Sequence, residues 1–185
     1  PGWFIAVTGV SGGLLGGLLL GAVTGLVARE LRPWVDEPRW SLQGKVCAVT
    51  GANSGLGEEI ALGLARLDAS VLLLCRRPIE GERVRRSILA THPGARVAVI
   101  VCDFGSIRRA AGRILTGWQR LDVLVHNAGA TFPQRTMTAD GVEATLAVDV
   151  VGPFLLTALL RQRLEAHRGR VITLTGIYHR RGCVD

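Results

Sequence analysis

Lysine is almost absent from these 185 residues: among 22 basic residues, only Lys45 is not an arginine. A reaction that needs a lysine ammonium must use Lys45 or do without one. Cysteine is sparse, with four residues and no Cys-x-x-Cys pair, which excludes a disulfide framework and a zinc ribbon. Methionine and tyrosine occur once each, as Met137 and Tyr178. Aromatics make up 5%, and no run of five or six basic residues occurs, so the net charge of +7 does not describe a nucleic-acid surface. The densest basic groups are Arg83, Arg85, Arg86 and the pair Arg108, Arg109, which suit solvated helix faces. A hydrophobic share of 48% with ordinary charge excludes a disordered chain.

Charge is missing altogether between Trp3 and Ala28. As a helix that segment would be about 39 Å long, against about 30 Å of bilayer hydrocarbon. The expectation is a transmembrane helix over 1–28, a linker over 29–41 and a domain over 42–185. Starting at Pro1 suggests a processed or partial N-terminus. Gly9, Gly13, Gly17, Gly21 and Gly25 recur every fourth residue. Such a stripe lets a partner helix backbone approach closely in lipid. Trp3, Trp34 and Trp40 suit the two interfaces. Arg29, Arg32, Arg39 and Lys45 place the domain on the reducing side of the membrane. The inner mitochondrial membrane and the endoplasmic reticulum both satisfy this.

Beyond the linker, apolar runs alternate with helix-length stretches. The runs are 46–50, 70–75, 96–102, 121–125 and 170–175, and their continuity suits strands buried on both faces. Helices are expected over 55–67, 79–91, 106–118 and 140–167, the last kinked at Pro153. Strict alternation predicts an α/β fold, a Rossmann-type doubly wound parallel sheet of about five strands. Cys47, Cys75 and Cys102 fall in or beside strands, as small buried hydrophobes do.

The first strand runs into Thr50-Gly51-Ala52-Asn53-Ser54-Gly55-Leu56-Gly57. Glycines at these positions allow a sharp turn, a close approach to pyrophosphate and tight helix packing, and the helix N-terminus offers N–H groups to phosphate. The segment resembles the Thr-Gly-x-x-x-Gly-x-Gly motif of the short-chain dehydrogenase/reductase superfamily. Asp103 resembles the acidic residue beside the adenine ring. His126-Asn127-Ala128-Gly129 resembles the family's Asn-Asn-Ala-Gly segment. Two segments, Thr138 to Glu143 and Gly152 to Thr157, resemble the membrane-anchored retinol dehydrogenase branch. The second strand ends in Cys75-Arg76-Arg77 with no acid before Glu80. Arg76 there suits a 2′-phosphate, so the expected cofactor is NADP(H), held by Thr50, Gly51, Asn53, Ser54, Gly55, Leu56, Gly57, Arg76, Asp103, Asn127, Ala128 and Gly129.

The resemblance implies four catalytic residues: asparagine, serine, tyrosine and lysine. Asp149 stands at the asparagine position and Gly176 at the serine position, with Thr175 one residue early. Tyr178 has Gly182, not lysine, four residues on, and no lysine follows Lys45. His126 and His179 are poor substitutes for the missing acid. The first expectation is therefore a non-catalytic, membrane-anchored accessory subunit of a larger membrane complex, with a respiratory complex among the candidates. The alternative is an active NADP(H)-dependent oxidoreductase of a lipophilic alcohol or carbonyl, with Tyr-x-x-x-Lys beyond Asp185.

Overall fold

The structure, a computed structural model, describes residues 41–176. The anchor expected over 1–28 with its glycine stripe, residues 29–40 of the linker, and Tyr178 lie outside these residues.

Among the described residues, five parallel strands form one sheet in the order β3-β2-β1-β4-β5. They are β1 (Val46–Thr50), β2 (Ser70–Cys75), β3 (Val97–Val101), β4 (Val123–His126) and β5 (Arg170–Thr173). Every residue of β1 and β2 is buried, as their unbroken apolar sequences require. β5 differs from the expectation: all four residues are exposed. It pairs with β4 on one side and, among the described residues, is an edge strand. Its apolar residues Val171 and Ile172 face solvent there.

Four helices connect the strands: α1 (Gly55–Arg66), α2 (Pro78–Thr91), α3 (Ile107–Gly117) and α4 (Gly152–Ala166). Pro78 opens α2, where its missing N–H costs nothing. One apolar layer joins Val71, Leu73, Val84 and Ile88 with Ala61 and Ala65 of α1. The other joins Leu72, Leu74 and Leu124 with Ile114 of α3 and Leu156, Leu160 and Leu164 of α4. The sheet is thus covered on both faces, as a doubly wound fold requires.

The long fourth helix is not a kinked α-helix beginning near residue 140. It starts with a single turn, Ala144–Leu146, widens into a π-helical turn, Ala147–Val151, and becomes α4 at Gly152. The Gly152 N–H donates to the Ala147 carbonyl five residues back. Pro153 lacks an N–H to continue the ordinary ladder, and the wider turn absorbs that loss. The run 144–166 is long and apolar enough to cross a membrane. Here its three buried leucines pack it on the sheet.

Arg163 ties the two helices of this layer together. Its guanidinium donates to the carbonyl of Leu115 at 3.1 Å and to that of Trp118, at the open end of α3. His167 Nε2 lies 3.1 Å from the Gln119 carbonyl on the same stretch.

Candidate functional site

A cleft of about 710 Å³ opens at the C-terminal ends of β1, β2, β3 and β4. β2 and β4 flank β1 on opposite sides, so the chain crosses from one half of the sheet to the other at this point. That is where doubly wound folds place ligands. Its size is ordinary for a small-molecule site.

The glycine loop forms one wall. Gly51 turns off β1 with φ +64°, and a β-carbon there would lie 2.9 Å from the Ala128 Cα. Gly57 is tighter: its β-carbon would stand 2.4 Å from the Gly51 carbonyl oxygen and 2.5 Å from Asn127 Nδ2. α1 can approach the end of β4 only because this position carries no side chain. Ser54 precedes α1 in extended conformation and its hydroxyl makes no capping bond. The first N–H groups of α1 are therefore left for something else to satisfy.

Thr50 and Asn127 lock this wall to the next. The Thr50 hydroxyl oxygen accepts from the N–H groups of Asn127 (3.1 Å) and Ala128 (3.0 Å). Asn127 Nδ2 donates to the carbonyls of Thr50 (3.0 Å) and Gly51 (3.3 Å).

Arg76 and Arg77, identical in sequence and adjacent, part company in space. Arg76 lines the cleft. Arg77 precedes α2 and sits 3.9 Å from the Glu80 carboxylate. Among the described residues, Arg76 has no acidic partner. Asp103 also lines the cleft, its N–H donating to the Ser106 hydroxyl at 2.9 Å. Of the twelve expected residues, Thr50, Gly51, Asn53, Ser54, Arg76, Asp103, Asn127, Ala128 and Gly129 line the cleft together. Gly55, Leu56 and Gly57 form the first turn of α1 behind the wall.

Sequence reading missed the apolar part of the lining: Phe104, Ile107, Phe132, Pro153 and Leu156. Thr138, Ala139 and Asp140 add a small hairpin-like turn, closed by Thr138 N–H to the Val142 carbonyl at 2.8 Å and entered by Gly141 at φ +73°. Glu143 ends it by accepting from the N–H groups of Thr145 and Leu146, which holds its carboxyl below the usual range.

His126 closes β4 at the cleft floor. It is 4% exposed, and Nε2 lies 2.8 Å from the Thr157 hydroxyl of α4. Nδ1 is buried with no partner among the described residues. Burial lowers its pKa, so the ring stays neutral around pH 7. Asp149, in the π-helical turn, points at the same loop: its Oδ1 accepts from the Ala130 N–H at 2.9 Å. Cys102 lines the cleft too, but burial and the neighbouring Asp103 push its thiol up to about 11, so it is no nucleophile at neutral pH.

Lys45 is remote from all of this. It sits at the N-terminal end of β1, its Nζ 3.3 Å from the Asp122 carboxylate. Asp122 also takes two bonds from Arg120 (2.8 and 2.6 Å) and the Val46 N–H (2.9 Å). Burial alone would raise its pKa, but these donors together outweigh that and hold it at about 2.

The sheet order, two covered faces and cleft position define the Rossmann class of α/β proteins. Comparison with known proteins narrows this. The short chain dehydrogenase family model matches residues 45–183, and the chain belongs to that family. It is 41% identical over 145 residues to retinol dehydrogenase 12 of Bos taurus, covering 76% of this chain and 46% of the relative. It is 38% identical over 177 residues to dehydrogenase/reductase SDR family member 13 of Bos taurus, covering 93% and 46%. A crystal structure of a metagenomic short-chain oxidoreductase in complex with NADP superimposes with a TM-score of 0.64 at 33% identity, over 72% of this chain and 63% of the other. The chain thus spans about half the length of the curated relatives it matches.

Proposed function

We propose that this chain is the nucleotide-binding part of an NADP(H)-dependent oxidoreductase of a lipophilic alcohol or carbonyl. The observation that carries this reading is the placing of Arg76, without an acidic partner among the described residues, in one cleft with the glycine loop. The open first turn of α1 suits the pyrophosphate, and the close packing that Gly51 and Gly57 allow folds the loop beneath it. Arg76 would take the 2′-phosphate through its planar fork. Asp103 would stand beside the adenine. Asn127, Ala128 and Gly129 would bound the cleft on the β4 side. The nicotinamide, when bound, supplies or accepts the hydride. The apolar lining from Phe104, Phe132, Pro153 and Leu156 suits a greasy reactant.

The retinol dehydrogenase relatives favour this reading over the accessory-subunit expectation, which gains no support from them. Asp149 and Gly176 depart from the family's asparagine and serine, and no continuation of the chain would restore them; an active enzyme also needs a Tyr-x-x-x-Lys pair, which Tyr178 and Gly182 do not supply. The uncharged segment from Trp3 to Ala28 is proposed as a membrane anchor whose glycine stripe packs on a partner helix, with lipid around it. The decisive experiment is titration of the full chain with NADPH and NADH. Preference for NADPH is expected, and equal or absent binding of both would overturn the cofactor reading.

A further inference from the structure

Arg83 reaches from α2 to the glycine loop. Nη1 donates to Glu58 Oε1 at 3.0 Å, while Nη2 donates both to Glu58 Oε2 at 2.7 Å and to the Asn53 carbonyl at 3.1 Å. Glu58 is the acid in the first turn of α1, and Asn53 lines the cleft. One guanidinium thus holds the loop backbone and the acid nearest the open helix N-terminus.

That acid is a tethered competitor. A helix N-terminus attracts any nearby anion, a carboxylate as readily as a phosphate. Left unpaired, Glu58 would be drawn toward the same N–H groups and would repel an incoming phosphate. The forked pair with Arg83 turns it toward α2 and cancels its charge. We propose that Arg83 is a positioning residue for the dinucleotide: by pairing with Glu58 it keeps that carboxylate from occupying or opposing the phosphate site, while its bond to the Asn53 carbonyl only steadies the loop backbone. This rests on the dinucleotide reading above.

The test uses the full chain, NADPH as the probe and four variants: R83M, E58Q, R83M with E58Q, and R83K. R83M is expected to raise the Kd for NADPH about tenfold, since it frees an anion beside an anion site. E58Q alone should bind NADPH at least as well as the parent. The double variant should return to within about threefold of the parent, because the competitor has gone with its guard. R83K keeps the charge but loses the fork, and should also stay within about threefold. Should R83M fail to fold, the double variant and R83K still decide: a tenfold loss in both would show that the bond to Asn53, not the charge of Glu58, matters. A purely structural role would likewise leave the double variant as weak as R83M, and either result overturns the proposal.

Amide hydrogen exchange separates this from the cofactor question. In unliganded R83M the amides of residues 51–57 should exchange faster than in the parent. If the parent fails to bind NADPH, the cofactor reading falls. If those amides exchange unchanged in R83M, the clamp falls whatever the cofactor.

Discussion

Asn127 Nδ2 lies 2.5 Å from where a β-carbon on Gly57 would stand. The amide that ties β4 to the glycine loop therefore blocks a side chain at position 57. The backbone carbonyl of Gly51, 2.4 Å away and itself bonded to that amide, cannot yield either.

Gly57→Ala should lower stability by about 1–3 kcal/mol, because both neighbours are fixed by hydrogen bonds. It should weaken NADPH binding as well. Gly112→Ala, in the exposed interior of α3 with nothing within 4 Å, should instead stabilise by about 1 kcal/mol. Thermal melts of the two variants should move in opposite directions.

Arg76→Ala should weaken NADPH binding by ten- to a hundredfold, on the order of 1.5–3 kcal/mol for a charged hydrogen-bonded contact, and leave NADH nearly unchanged. Arg77→Ala is the control, since Arg77 leans on Glu80, and should change neither. Isothermal titration with both nucleotides separates the two arginines.

Asp122→Asn should destabilise the fold by about 2–4 kcal/mol at pH 7, leaving Arg120 and Lys45 facing an uncharged group. The parent carries this stability in full above the carboxylate's unfolded value of about 3.9. It loses it as pH falls toward the folded value of about 2. Acid denaturation curves should show the parent losing stability in that window and the variant losing less.

His126 bears on milder acid. Its folded pKa lies below the ordinary value, so the unfolded chain takes up the proton first, and stability falls as pH drops through about 6.5. His126→Asn, which can still bond Thr157, should remove that part of the pH dependence. Urea midpoints measured from pH 8 to pH 5.5 should converge for parent and variant as the pH is lowered.

Thiol chemistry gives a further check. Burial, with Asp122 adding to it, pushes Cys47 up to about 12, and Cys102 reaches about 11. Iodoacetamide at pH 8 should leave both unmodified in the native chain and alkylate both in urea, as peptide mass spectrometry would show.

The central strands and the glycine loop were legible because each has a local signature. Strands buried on both faces are unbroken apolar runs, and Gly51, Gly55 and Gly57 sit at the joint where β1 turns into α1. β5 misled because its composition matches theirs, while its exposure depends on what lies beside it. Phe104, Ile107 and Leu156 belong to the apolar layer and line the cleft as well, and hydrophobicity in sequence does not separate the two roles. The different fates of Arg76 and Arg77 follow from where β2 stops and α2 begins, a boundary that sequence pattern places only approximately. The π-helical turn left no trace in composition. Its only hint was Pro153, which was readable as a kink.

That turn has a genetic consequence. A π-helical turn holds one residue more than an α-helical turn, so removing one codon between 147 and 151 would tighten the helix there and drive the Pro153 ring against the carbonyl four residues back. It would also remove the reach of Asp149 to Ala130. The extra residue of the turn thus serves the proline and the cleft wall together, and a one-codon deletion would cost the chain both.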